Sequence, residues 1–148
     1  MRVRIPPRLR HHENVTSYRV AEAAEVLGVS DDTLRRWVDA GRVVAGPGAD
    51  GRTVIQGADL AKLARSLAET GEGADRGTRS DSVSARNRMR GIVTDVRTDA
   101  VMAQVEMVCG PFRVVSLMSA EAAGELALAP GVIAIASVKS TNVVVELP

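Results

Sequence analysis

The chain has 148 residues, 45% hydrophobic and 25% charged, which is ordinary for a water-soluble protein and sized for one domain or two small ones. A net charge of +1 gives no bulk reason to expect a polyanionic partner, and no apolar run approaches the ~18 residues needed to span a bilayer. One cysteine, Cys109, excludes an intrachain disulfide and suits a cytoplasmic setting, while three aromatic residues (Tyr18, Trp37, Phe112) leave the core to aliphatic side chains.

Residues 1–16 show no hydrophobic period. They carry Arg2, Arg4, Arg8 and Arg10, with Pro6-Pro7 where a signal peptide would be apolar. They read as a flexible basic arm, and His11-His12 as part of it, with no further ligands near enough for a metal site.

Residues 17–69 read as three helices and a hairpin. Val20, Ala24 and Leu27 fall on one helical face, and Gly28 follows as the residue that ends the helix. Ser30 is placed to cap a second helix, with Asp31 and Asp32 at its positive end and Leu34, Trp37 and Val38 as its buried stripe. Two short strands, 42–45 and 52–55, flank the loop Gly46 to Gly51. Leu60, Leu63, Ala64 and Leu67 mark a third helix. Helix, short turn, helix is the helix-turn-helix spacing.

This stretch resembles the winged helix-turn-helix of the MerR/excisionase type. The residues that carry the likeness are Ala21, Ala24, Leu27-Gly28-Val29-Ser30, then Thr33-Leu34-Arg35-Arg36-Trp37, Gly41 and Val43. The resemblance implies DNA as a partner, with Arg36 on the reading helix and Arg35, Arg42 and Arg52 on phosphates or bases. Trp37 belongs to the core. The region holds seven basic and eight acidic residues, so one copy should bind DNA weakly and useful affinity should need several copies on one assembly.

Residues 70–83, TGEGADRGTRSDSV, have almost nothing to bury. As a flexible linker they would span about 20 Å r.m.s. and leave the two domains independent. From Ser84 the hydrophobic period becomes two. Strands are expected over 92–97, 101–108, 112–118, 132–138 and 142–147, with one short helix capped by Ser119. Many short strands with one helix describe a small OB-like β-barrel. The fold class is therefore α+β in two domains: a mainly α winged helix-turn-helix, then the barrel over 84–148.

Three polar runs interrupt this barrel: Ser84-Ala85-Arg86-Asn87, Val115-Ser116-Leu117-Met118-Ser119, and Val138-Lys139-Ser140-Thr141-Asn142. They offer hydroxyls, amides, a guanidinium and an ammonium, and no carboxylate. Nearly every one of these groups can donate, which suits a fully ionised oxyanion, an acceptor of hydrogen bonds that gives none. The three runs, in this order and spacing, resemble the molbindin (Mop, or TOBE-type) domain. The resemblance implies that molybdate or tungstate is bound, with Ser84, Arg86 and Asn87 from one barrel and Ser116, Ser119, Lys139 and Ser140 from a facing one. It also implies a homo-oligomer, a dimer at the least and up to a hexamer. No metal cation and no membrane contact are expected, and no catalytic constellation or phosphate loop points to an enzyme. The leading expectation is a molybdate-responsive DNA-binding regulator. The alternatives are a molybdate or tungstate storage protein whose first domain makes protein contacts, and an architectural DNA binder whose barrel only oligomerises.

Overall fold

The computed structural model describes residues 16–72 and 87–148 in full, and Arg86 by its backbone. The basic arm but for Thr16, the linker from residue 73 onward, and Ser84 lie outside the described residues.

The first unit is built as the sequence pattern requires, with one addition. Strand β1 (Ser17–Arg19) leads directly into helix α1 (Val20–Leu27), which buries Val20, Ala23, Ala24, Val26 and Leu27. Gly28 ends the helix with φ +71°, a left-handed conformation that costs a glycine little, and its N–H reaches back to Glu25 and Ala24 carbonyls. Helix α2 (Asp31–Asp39) starts at Ser30, whose side chain accepts from the Thr33 N–H at 3.2 Å. Strands β2 (Ala45–Pro47) and β3 (Thr53–Gln56) form the wing, and helix α3 (Gly57–Thr70) follows without a loop. The sheet order is β1-β3-β2. The first wing strand thus sits later than the expected 42–45. Arg42 N–H instead bonds the Trp37 carbonyl as α2 unwinds, which delays strand pairing to Ala45. Leu34, Ile55 and Leu60 are fully buried in this core, and Trp37 and Val38 pack on it.

The second unit is an open, curled antiparallel sheet, the half-barrel of an OB-like fold. Its strands are β4 (Arg86–Thr98), β5 (Met102–Cys109), β6 (Phe112–Ser119) and β7 (Ile133–Lys139), in the order β6-β5-β4-β7. Helix α4 (Ala120–Glu125) is capped by Ser119, as expected. Strand β4 is twice as long as its apolar stretch, because its first half pairs with β7 and its second half with β5, across a register shift between Val93 and Asp95. Val93, Val105, Met107 and Cys109 form a core under one face, closed by Leu128 and Val132 among others.

The strand expected over 142–147 is not formed. Ser140–Asn142 is a 3-10 turn, and residues 143–148 run on without sheet pairing. Val144, Val145 and Leu147 are 78%, 88% and 94% exposed. The β-branched composition is right for a strand, but a strand needs a neighbouring edge, and this segment pairs with none among the described residues.

A linker of fourteen residues leaves the two units independent on sequence grounds. In the structure they meet directly. Ile92 and Val108 of the sheet belong to the same buried cluster as Tyr18, Leu60 and Leu63. The Tyr18 hydroxyl donates to the Gly131 carbonyl at 2.8 Å and accepts from the Ile133 N–H at 3.2 Å. Arg65 of α3 donates to the Thr94 carbonyl and stands 3.6 Å from Glu106. The apolar joint, not the tether, sets how the units sit.

Candidate functional site

The polar runs fall into two groups on the sheet. Antiparallel register puts Arg86 opposite Lys139 and Asn87 opposite Val138, with Ser140 next in the turn. Positions 86 and 139 therefore share one end of the β4–β7 pair. Lys139 and Asn87 are exposed.

Ser116 and Ser119 sit elsewhere. Ser116 is opposite Val105, which is opposite Val96 of β4. Val96 is ten residues beyond Arg86, about 33 Å along the strand. Ser119 lies further on, opposite Met102. Its Oγ accepts from the Ala122 N–H at 3.1 Å, which uses a lone pair and leaves the hydroxyl proton to donate outward. Within one chain, strand register places Lys139 beside Arg86 and away from Ser116 and Ser119. In one copy the expected donors fall into two groups at opposite ends of the sheet.

The four arginines assigned to DNA differ in their freedom. Arg35 and Arg36 are exposed on α2, and Arg36 donates to Thr33 Oγ1 at 3.4 Å. Arg42 stacks 4.9 Å from the Trp37 ring centroid and pairs with Glu72 at 2.6 Å. Arg52 stands 3.9 Å from Asp50. The sheet's polar bonds reach β1, α1 and α3, while Asp31, Asp32, Arg35 and Arg36 of α2 stay exposed.

Sequence reading missed the groups at the domain joint. Glu106 is buried, 2.5 Å from Arg113 and 3.3 Å from the Thr94 hydroxyl. The hydrogen bond from Arg113 holds its carboxyl below the usual range, and Glu106 in turn pushes the Arg113 guanidinium up. A lone acid inside the apolar run of β5 was the available signal. Tyr18, the only tyrosine, was another.

Cys109 takes no part. Its thiol faces the Met89 carbonyl at 3.7 Å, and burial pushes its pKa up to about 11. At pH 8 about 0.1% would be thiolate, against about a quarter for a free cysteine. An aromatic disulfide reagent should therefore label the native protein at least ~100-fold more slowly than the protein in denaturant. Equal rates would show that the β4–β5 packing over the thiol opens freely.

Among the described residues, no helix is long and apolar enough to cross a membrane, and no cluster of three or more His, Cys, Asp or Glu could hold a metal ion.

Residues 83–145 match the TOBE domain family, and residues 17–68 match a helix-turn-helix domain family. Among solved structures, a molybdate binding protein from Sporomusa ovata is 27% identical, covering 45% of this chain and 100% of its own, with a TM-score of 0.42. MopII from Clostridium pasteurianum is 33% identical over the same shares, with a TM-score of 0.41. No curated protein matches the chain.

Proposed function

From a chain that joins a helix-turn-helix domain to a TOBE domain, the molybdate-binding fold, we propose a DNA-binding transcriptional regulator that senses molybdate, and tungstate with it. The observation that carries this reading is the presence of both domains in one chain, packed through a common core.

Molybdate is a tetrahedral dianion at neutral pH. Taking it out of water requires about two positive charges and donors on all four oxygens. Arg86 and Lys139 supply the charges from one end of a strand pair. Ser84, Ser116, Ser119, Asn87 and the Ser140 backbone supply donors of fixed reach. Tungstate has the same charge and nearly the same size, so it should bind alike. Sulfate is smaller and should bind weakly, and a phosphate that keeps a proton finds no carboxylate in the set to take it.

The half-sites of one chain lie too far apart to grip one ion. In this reading a second copy completes the site, bringing its Arg86–Lys139 end against the Ser116–Ser119 end of the first. The protein then works as a homo-oligomer, which also multiplies the DNA-binding modules. Each module reads DNA through α2, with Arg36 and Arg35 outward and Arg42 and Arg52 flanking.

Replacing Arg36 by alanine should cost about 1–3 kcal/mol of specific DNA affinity at fixed salt. A titration showing unchanged affinity would remove α2 as the reading helix. The function itself is tested by footprinting DNA upstream of a molybdate-transport operon, with and without the anion. Protection that changes with molybdate supports the regulator. Anion binding without any DNA protection supports storage, and protection indifferent to the anion supports an architectural role.

A further inference from the structure

The β4–β7 pair does different things at its two ends. One end carries Arg86 opposite Lys139, followed by Ser140. At the other end the same strands hold the helix-turn-helix domain. Ile133 donates to the Tyr18 hydroxyl, which donates to Gly131, and Ile92, opposite Ile133, lies in the core shared with α1 and α3. Between the ends, Arg90 reaches α1, standing 3.6 Å from Glu22 and 3.3 Å from Glu25. From Lys139 to Ile133 is six residues, about 20 Å of hydrogen-bonded ribbon.

The grip leaves no slack. Backbone crosses backbone where Gly57 meets Gly131: a Cβ on Gly131 would lie 2.5 Å from the Gly57 carbonyl carbon, and one on Gly57 would lie 2.6 Å from the Gly131 oxygen. Packed interfaces of this kind switch between discrete arrangements and do not stretch. Helix α2 follows α1 through the short Gly28–Ser30 turn and shares its core through Leu27 and Leu34, so a shift of α1 carries α2 with it.

We propose that the Tyr18 clasp and the Arg90 bridge form the joint through which anion occupancy at the Lys139 end sets the placement of the DNA-reading helix. This rests on the regulator reading above and names how that site is regulated. Tyr18 and Arg90 are positioning residues. They act through the strand pair and α1, and belong to neither proposed binding set. Drawing Arg86 and Lys139 together around a dianion changes the twist at one end of a two-stranded ribbon. Cross-strand hydrogen bonds pass that change to Ile92 and Ile133, where the clasp holds β1.

The test uses the full chain as wild type, Tyr18→Phe, Arg90→Gln and the double variant. Tyr18→Phe keeps the ring and removes the hydroxyl. Arg90 and its partners are exposed, so Arg90→Gln does not threaten folding. Calorimetry gives the affinity for sodium molybdate, and titration of a duplex selected on the wild-type protein gives DNA affinity with and without it. The wild type should show a ratio between the two DNA affinities in the usual range of about 5–150-fold. In the double variant that ratio should fall to within about 2-fold of unity, with Arg90→Gln intermediate, while molybdate affinity without DNA stays within about 2-fold of wild type. Reciprocally, the duplex should stop altering molybdate affinity. An undiminished ratio in the double variant overturns the joint and leaves the regulator standing. Loss of molybdate affinity itself in either variant also overturns it, since the residues would then be building the site. A wild type that binds no molybdate, or whose DNA affinity ignores it, overturns the regulator and the joint together.

Discussion

Replacing Lys139 by alanine should lower molybdate affinity by about 100-fold or more, measured by calorimetry on the full chain. The ammonium supplies one of two charges set against a dianion, and a hydrogen bond between charged partners contributes about 1.5–3 kcal/mol in a site sheltered from water. The loss should exceed this when the remaining oxyanion oxygen is left without a donor. Lys139→Arg should recover part of it, because the charge returns in a different shape. Ser119→Ala should behave differently. That hydroxyl also caps α4 through the Ala122 N–H, so its removal costs about 1 kcal/mol of stability besides any ligand contact. Lys139 is exposed at a strand end, so its loss should leave the thermal midpoint unchanged. Wild-type affinity in Lys139→Ala would remove the β4–β7 end from the site.

The helices were legible because they are set by local chemistry. The serine cap at Ser30, the left-handed glycine at Gly28 and the Leu34/Trp37/Val38 stripe each act within one or two turns, and each stands where the sequence places it. Strand β4 was half legible. Its second half alternates, but Arg86 to Gly91 reads as polar, and only pairing with β7 makes it a strand. A ladder between Arg86–Ile92 and Ile133–Lys139, far apart in sequence, leaves no local signature. Strand β1 was missed for the same reason: three residues pair with β3 and have no period of their own.

The polar runs were legible in the sequence, and their placement on the sheet was not. A list of donors says nothing about which strand lies beside which. Register decides that Lys139 stands by Arg86, and Ser116 two strands away. The joint was hidden more deeply. Tyr18, Gly57, Arg90 and Gly131 belong to no motif, and Arg90 reads from sequence as one more basic residue in a polar run. What gives them a role is the packing of one domain on the other, through a contact between residues more than a hundred positions apart.

The protein should sediment as an oligomer, and molybdate should move any dissociated fraction into it. Three features of the single chain lead there. The proposed donors fall into two groups separated by about 33 Å in the strand direction, so neither group is the full set. Strand β6 is an edge with Phe112, Val115 and Leu117 exposed along it, an arrangement that invites pairing with another chain. The segment from Val143 to Leu147 is mostly apolar and β-branched, and it has no strand partner among the described residues. A second copy answers all three: its segment can pair with the β6 edge, and Lys139 and Ser140, just before that segment, come with it toward Ser116 and Ser119. A ligand held across copies binds only the assembled state, so at 100 times its dissociation constant it should stabilise assembly by about 2.7 kcal/mol per site. Ending the chain after Asn142 should then abolish both assembly and molybdate binding, although it deletes none of the proposed donors. That double loss is the distinguishing result, because a site complete within one chain would survive it. A monomer that still binds one anion per chain would refute the composite site, and the half-sites would then have to be brought together by closure of the sheet on itself.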